Sequence, residues 1–358
     1  MVQGKARRIR LGRPDVGAEE LEAVAAVLES GQLTTGPKVA EFEQAIAEAC
    51  GTEHALAVSS GTAALHLAVL AMGIGPGDEV LVPAYTFPAT ANVVALAGAR
   101  PVLVDVDPES MNVDPAAAHA AVTPRTKAVL PVHLFGRPAR LEELPELPLL
   151  EDAAGALAAR RGGRPCGGLG AAGCLSFHPR KIVTTADGGA VTTDDGELAD
   201  RVRRLRNHGW RSLDPPDMPA PGFNLRLPDV LCALGIPQLR RLEQLLAERT
   251  RIAAAYEERL RDLPVLLPSA DEGDRHGWQA YVIQVERRDE VLAALRGQGI
   301  EAQIGTYALH LLGAYRDQGE FPGATRAFER ALALPFHTSL TEPELDRVAA
   351  ALDRLVSE

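Results

Sequence analysis

Residues 55–72, Ala-Leu-Ala-Val-Ser-Ser-Gly-Thr-Ala-Ala-Leu-His-Leu-Ala-Val-Leu-Ala-Met, decide the fold class. Ala55–Val58 is a short apolar run closed by small polar residues and reads as a strand, whereas Gly61–Met72 carries a helical pattern. The chain repeats this alternation downstream. Glu79–Val82 reads as a strand and Ala89–Ala97 as a helix, and Val102–Val106, Ala128–Val132, Pro148–Asp152, Cys174–Phe177 and Gly189–Thr193 read as further strands. Val-rich runs this short are buried on both faces, which implies an α/β fold with a mostly parallel central sheet covered by helices.

Two helices precede the sheet. One starts near residue 18, with Leu21, Val24, Val27 and Leu28 in helical spacing, and Ser30-Gly31 ends it. The other runs from Val39 to Ala49 and stops at Gly51. Leu198–Arg206 reads as a helix leading away from the sheet, with Arg201, Arg203, Arg204 and Arg206 on a solvated face. Asp214–Pro221 holds four prolines and reads as a loop. A single helical pattern from about Pro228 to Leu260 would connect two domains, a large one over 1–240 and a smaller C-terminal α/β domain over 241–358. The latter has strands at Tyr281–Val285 and Ala302–Thr306 and helices near Glu290–Gly299 and Glu342–Val356.

Composition narrows the function. The chain has 358 residues, 46% of them hydrophobic, enough for a large core. A net charge of −11 leaves no strongly basic domain to neutralise phosphates, so nucleic acid is not an expected partner. The four cysteines are widely separated and form no C-x-x-C pair, which points to neither zinc nor disulfides and fits a reducing cytoplasm. The basic start, Met-Val-Gln-Gly-Lys-Ala-Arg-Arg, is followed by no apolar stretch of signal-peptide type, and no run approaches the roughly 18–20 apolar residues of a membrane span. The expectation is a cytoplasmic protein without a membrane partner.

Lys181 is placed unusually for a lysine. It follows the strand-like Gly173–Phe177 and a proline, Pro179, that blocks a helix. A lysine held there would be partly desolvated, which lowers its pKa and frees an amine for carbonyl chemistry. Alone it would read as a surface lysine. Three companions reverse that. Ser60-Gly61-Thr62 lies between a strand and a helix, where free backbone N–H groups favour a phosphate, although Ser and Thr also cap ordinary helices. Asp152 ends a strand, where a carboxylate points into the crevice of an α/β sheet and could pair with a pyridinium nitrogen; it could equally cap the Ala-rich stretch that follows. Ser176, before Lys181, could donate to the same phosphate or bond locally. A phosphate cradle, an electronic partner and an amine together suit pyridoxal 5′-phosphate. No histidine-rich metal spacing is present, and no metal is expected.

Lys181 and Asp152 occur with Ser60–Leu65, Gly77-Asp-Glu-Val80, Pro83–Thr90, Pro131–Gly136, Gly222–Arg226, Gln238-Leu239 and Leu334-Pro335. In this order, over nearly the whole chain, the set resembles the DegT/StrS family of sugar aminotransferases. The resemblance implies the PLP-dependent transferase fold of type I, assembled as a homodimer. It implies that Lys181 forms the Schiff base with the cofactor, that Asp152 contacts the pyridine nitrogen, and that Gly61, Thr62 and Ser176 hold the phosphate. Phe87 would stack on the pyridine ring or serve as a core aromatic. Asn224 would reach the phosphate of the neighbouring subunit. One position departs from the family: Glu151-Asp-Ala-Ala154 is usually followed by Gln or His, and here by Gly155. That leaves room for a water, a different substrate group or a side chain from elsewhere.

Further residues are open between two readings. His133 could line the pocket or be a satisfied core histidine. His178 could pack beside the phosphate site or shape its own loop. Tyr307 and His310 match a segment that faces the family's active site and could touch the sugar or pack at the domain junction. The expected reaction is transamination from an amino acid, L-glutamate, to a keto-sugar, most often nucleotide-linked. Alternatives are a ketocyclitol acceptor, sugar dehydration on the same scaffold, and a PLP-binding regulatory protein without turnover. The related dehydratases carry histidine in place of the Schiff-base lysine, so Lys181 counts against the second.

Overall fold

The computed structural model describes residues 8–357; the basic stretch at residues 1–7 lies outside them. The central sheet comprises β1 (His54–Val58), β2 (Glu79–Pro83), β3 (Arg100–Val104), β4 (Thr126–Val129), β5 (Leu150–Asp152), β6 (Ala172–Ser176) and β7 (Gly189–Thr193). β3-β2-β4 pair in parallel, and parallel bridges Val129↔Leu149 and Val132↔Asp152 join β4 to β5. β5 is parallel to β6, and β7 runs against both β6 and β1. β7 is therefore the one reversed strand, and the sheet is mostly parallel, as the alternation predicts.

Topology now fixes where chemistry can sit. Because β1, β2, β5 and β6 all run in one direction, their C-terminal ends open on one edge, and the reversed β7 starts from that same edge. That edge carries Ser60-Gly61-Thr62, Tyr85–Thr90, Asp152 and Ser176.

The pleat divides the strands between two cores. Leu56 and Val58 join one cluster with α3 (Gly61–Ala71), α4 (Ala89–Leu96) and Val202, while Ala55 and Ala57 join Phe42 and Ile46 of α2 (Pro37–Cys50) on the other face. α3 is apolar nearly all round because it is buried nearly all round: seven of its side chains are inside. The N-terminal helix, α1, spans Ala18–Ser30.

Several expectations need correction. The helix at Gly196–Leu205 (α5) lies on the sheet rather than leading away from it, burying Leu198, Ala199 and Val202 against α3, β1 and β7. Arg206, at its end, is not solvated: its guanidinium donates to Glu43 and, at 2.7 Å, to the Ala57 carbonyl. The long connecting helix is two, α6 (Asp229–Arg240) and α7 (Leu242–Leu260). The chain leaves helical values at Arg241 (φ −107°, ψ 21°), and the Arg241 guanidinium bonds Asp15 and Glu20 across the break. The proline-rich loop carries a two-residue ladder, Ser212-Leu213 against Pro216-Asp217, because an edge position tolerates the missing proline N–H.

The C-terminal part has a small antiparallel sheet, β8 (Tyr281–Gln284), β10 (Ala331–Leu334) and β9 (Gln303-Ile304), in that spatial order. β10 and the preceding helix α9 (Pro322–Arg330) went unread in the sequence. Ala-Leu-Ala-Leu lacks β-branched residues, and an apolar run of four fits helix or strand equally. α8 (Arg288–Gly297) and α10 (Glu342–Val356) cover this sheet, and Ile9 pairs with Ile300 to join the same core. The predicted strand 302–306 is shorter, because the chain turns after Ile304 to pair Tyr307-Ala308 with Tyr85-Thr86. There the Thr306 N–H donates to the Tyr85 hydroxyl at 3.0 Å.

Candidate active site

The turn after β1 shows why the sequence places small residues there. Ser60 caps α3, its Oγ accepting the Ala63 N–H at 3.0 Å. The capping reading is therefore correct, and it leaves a second consequence. The amides of Gly61 and Thr62, ahead of that bond, have no acceptor among the described residues, as expected for the first turn of a helix. A Cβ on Gly61 would lie 2.8 Å from the Ser176 Cβ and 3.2 Å from its Oγ. Gly61 and Ser176 thus lie close together at the edge of the sheet and, with Thr62, offer donors that could hold a phosphate.

Asp152 sits at the end of β5, buried at 5% exposure. Its Oδ2 accepts the Thr90 hydroxyl at 2.8 Å, and its Oδ1 accepts the Ala154 N–H at 3.2 Å. Burial raises its pKa above the ordinary 3.8, opposed by the Thr90 and Ala154 hydrogen bonds and by the Lys181 charge. A carboxylate in this position is stabilised by any cationic nitrogen that joins it.

Lys181 lies in the loop between β6 and β7, which is closed at its base by Phe177 N–H to Gly188 O at 2.9 Å. Its N–H donates to the His178 carbonyl at 2.8 Å, bending the chain so that the side chain is half-buried. Burial pushes the amine down to about 8, with Arg180 acting in the same sense and Asp152 against it. The mutual influence of Lys181 and Asp152 places the two within electrostatic reach. This satisfies the expectation of a desolvated lysine that can be neutral near physiological pH.

Phe87 projects at 60% exposure, although its neighbours Tyr85 and Thr86 are buried. Thr90 anchors it: the Thr90 Oγ1 contacts the Phe87 carbonyl at 3.0 Å and Thr86 Oγ1 at 3.0 Å while bonding Asp152. The Tyr307 ring lies 6.3 Å from that of Phe87, edge to face, carried there by the ladder with Thr86. An exposed aromatic beside a buried carboxylate, a low-pKa amine and unpaired helix amides fits pyridoxal phosphate part by part.

The remaining candidates fall elsewhere. His133 does not line the site: it is 1% exposed, its Nδ1 accepts the Ala139 N–H at 2.9 Å and its Nε2 meets Glu151 at 2.8 Å. An Nδ1 that accepts a backbone N–H carries no proton, so the ring is neutral and Nε2 donates. His310 is 7% exposed, its Nε2 is 3.0 Å from Thr325 Oγ1 and its ring packs 5.2 Å from Phe321, which matches the packing reading. His178 is exposed, and its Nδ1 accepts the Arg180 N–H at 3.3 Å, which shapes the loop. Asn224 is exposed on a segment tied to the phosphate turn through Ser59 N–H to Leu225 O at 2.9 Å.

Two supporting residues escaped the sequence reading. Thr90 is one; nothing local distinguishes it from a helix-end threonine. Glu151 is the other, fully buried beneath Asp152. It accepts the Gly167, Leu169 and Gly170 amides at 2.7 Å each, as well as His133. Burial raises the Glu151 pKa, but His133 and the backbone amides outweigh it and hold the carboxyl below the ordinary 4.5. A Glu-Asp pair at a strand end, one residue facing each way, is the only sequence signal for it.

Residues 14–353 match the DegT/DnrJ/EryC1/StrS aminotransferase family. The chain belongs to this family. Among solved structures it is similar to the aminotransferase TlmJ from Streptoalloteichus hindustanus, with 35% identity, a TM-score of 0.94, and 98% of this chain and 99% of that one covered. It is similar to DesV from S. venezuelae, solved with a ketimine intermediate, at 36% identity and TM-score 0.93 over 99% and 100% of the two chains. DesI, solved in the presence of its TDP-sugar product, is 35% identical with TM-score 0.92 over 99% and 94%. The enzyme is therefore a PLP-dependent transaminase of the type I fold. Among the described residues no group of His, Cys, Asp or Glu could hold a metal ion, and no helix is long and apolar enough to cross a membrane.

Proposed function

We propose that this enzyme moves the amino group of L-glutamate to a keto-sugar carried on a nucleoside diphosphate. The observation that carries the reading is the convergence, on one edge of the sheet, of Asp152, the Gly61–Ser176 cradle and Lys181. Pyridoxal phosphate supplies an aldehyde and an electron-accepting ring. Gly61, Thr62 and Ser176 would hold its phosphate, Phe87 would fix the plane of the ring, and Asp152 would keep the ring nitrogen protonated. Lys181 would anchor the cofactor, and its free amine would take the proton of the donor's α-carbon on Nζ and give it back to the cofactor carbon. A pKa of about 8 suits an amine that must act as base and then as acid near neutral pH.

The sugar acceptor is supported by the TDP-sugar product named for DesI, a relative that spans this whole chain. Tyr307, beside Phe87 and 39% exposed, is the residue best placed to touch it. We further read the enzyme as a homodimer in which Asn224 reaches the partner's phosphate. Asn224 is exposed without a side-chain hydrogen bond among the described residues, and Phe223 next to it is 41% exposed. Sedimentation as a monomer at assay concentration would remove that part of the reading.

The decisive experiment offers the holoenzyme L-glutamate together with TDP-linked 4-keto-6-deoxyglucose and follows amino-sugar formation by mass. Product from the parent enzyme, and none from Lys181→Ala, is expected. Full activity of Lys181→Ala, or no amination of any nucleotide-linked keto-sugar, would refute it.

A further inference from the structure

Gly155, three residues beyond Asp152, has no side chain, yet the space above it is not empty. The three atoms nearest a Cβ built on Gly155 all belong to Gln279: its Oε1 at 3.4 Å, Cγ at 3.5 Å and Cβ at 3.6 Å. Gln279 comes from the turn before β8, far away in sequence. Its carboxamide lies between the loop that carries Asp152 and the loop that carries Lys181, where Nε2 reaches the Arg180 carbonyl at 3.4 Å. That contact is long, and Oε1 accepts no hydrogen bond among the described residues. The Gln279 amide has thus kept nearly all its hydrogen-bonding capacity free, next to the Gly155 and Arg180 backbones of the loops that carry Asp152 and Lys181.

The backbone beneath it is built to hold this position. The Gln279 N–H donates to Phe135 O at 3.0 Å, and Gly277 N–H donates to Gly136 O at 2.7 Å. Gly136 allows the approach, since a Cβ there would lie 2.8 Å from Trp278 N and 3.0 Å from Gln279 N. Arg249, buried in α7, donates one guanidinium nitrogen to both the Trp278 and Gln279 carbonyls, at 2.9 and 3.2 Å. Trp278 itself is held at φ 45°, a left-handed conformation a tryptophan rarely adopts, with His276 stacked 4.0 Å from its ring. Strain of this kind persists only where the surroundings over-determine it, and it clusters at functional sites.

We propose that Gln279 is a specificity-determining residue of this site, whose carboxamide reaches across side-chain-free Gly155 and exchanges hydrogen bonds with a hydroxyl of the sugar acceptor. The chemistry selects that partner. A neutral amide that both donates and accepts matches a hydroxyl, whereas the carboxylates of an amino-acid donor call for cations or clustered N–H groups. The proposal rests on the reading of Lys181 and Asp152 as the reacting centre and adds the residue that chooses what the centre aminates.

The test measures the two half-reactions separately in the holoenzyme. One is L-glutamate with the pyridoxal form, and the other is TDP-linked 4-keto-6-deoxyglucose with the pyridoxamine form, each followed by cofactor absorbance. Gln279→Ala, and the near-isosteric Gln279→Met that keeps the volume filled, should lower acceptor kcat/KM by about 10- to 100-fold. The donor half-reaction should change at least about tenfold less than that. Gly155→Gln with Gln279→Ala returns an amide to the same volume from the opposite side and should regain most of the loss. Equal slowing of both half-reactions, an unaffected Gln279→Met, or a double variant no better than Gln279→Ala would each overturn the assignment. A parent enzyme inert in both half-reactions would overturn the underlying function reading as well, a result distinct from these.

Discussion

The free amine of Lys181 is the group that must attack the cofactor's aldehyde, and cofactor uptake reports it. An ordinary lysine titrates near 10.5, and burial brings Lys181 to about 8. At pH 7 the neutral fraction rises from about 0.03% to about 9%, a gain of about 300-fold in the form that attacks an aldehyde. Uptake of pyridoxal phosphate by the apoenzyme, followed by stopped-flow absorbance, should therefore accelerate about tenfold per pH unit up to pH ~8 and then level off. Asp152 works against the burial of Lys181, so Asp152→Asn should move the plateau to lower pH, because removing a nearby negative charge makes the ammonium form less favourable. A rate that climbs without a break to pH 10 would refute the reasoning. A plateau that Asp152→Asn shifts upward would refute the assigned sign.

Glu151→Gln should cost about 3–5 kcal/mol of stability, since an amide NH₂ must face two of the four donors the carboxylate now accepts. Because the folded pKa of Glu151 is depressed, its contribution is complete above the unfolded value near 4.5 and is lost as pH falls through the lower folded value. Thermal melts from pH 3 to pH 6 should show a flatter acid limb in Glu151→Gln than in the parent, and parallel limbs would contradict this. Gly61→Ala places a methyl 2.8 Å from the Ser176 Cβ, so Ser176 must shift; the variant should weaken pyridoxal phosphate affinity about tenfold or more and cost the apo fold about 1–3 kcal/mol. Unchanged affinity by fluorescence titration would remove Gly61 from the cradle.

Sequence alone was sufficient for the alternation of strands and helices, because burial on both faces imposes short Val-rich runs that survive as a pattern. It also marked Asp152 and the Ser60-Gly61-Thr62 turn as candidates, since each stands at a strand end where a polar residue needs a reason, and Lys181 in the loop after β6. It could not show that β7 runs backwards, which lets the chain after β6 turn back through the Lys181 loop on the same edge; strand direction leaves no mark on local periodicity. The break at Arg241 was hidden because the groups its guanidinium bonds there, Asp15 and Glu20, lie more than two hundred positions away. The two readings of His133 were separable only once Ala139 and Glu151 were seen on its two nitrogens. Gly155 shows the division best. Local sequence determined that a side chain was missing beside Asp152, and only the folded chain could place Gln279, 124 positions later, in the space it left.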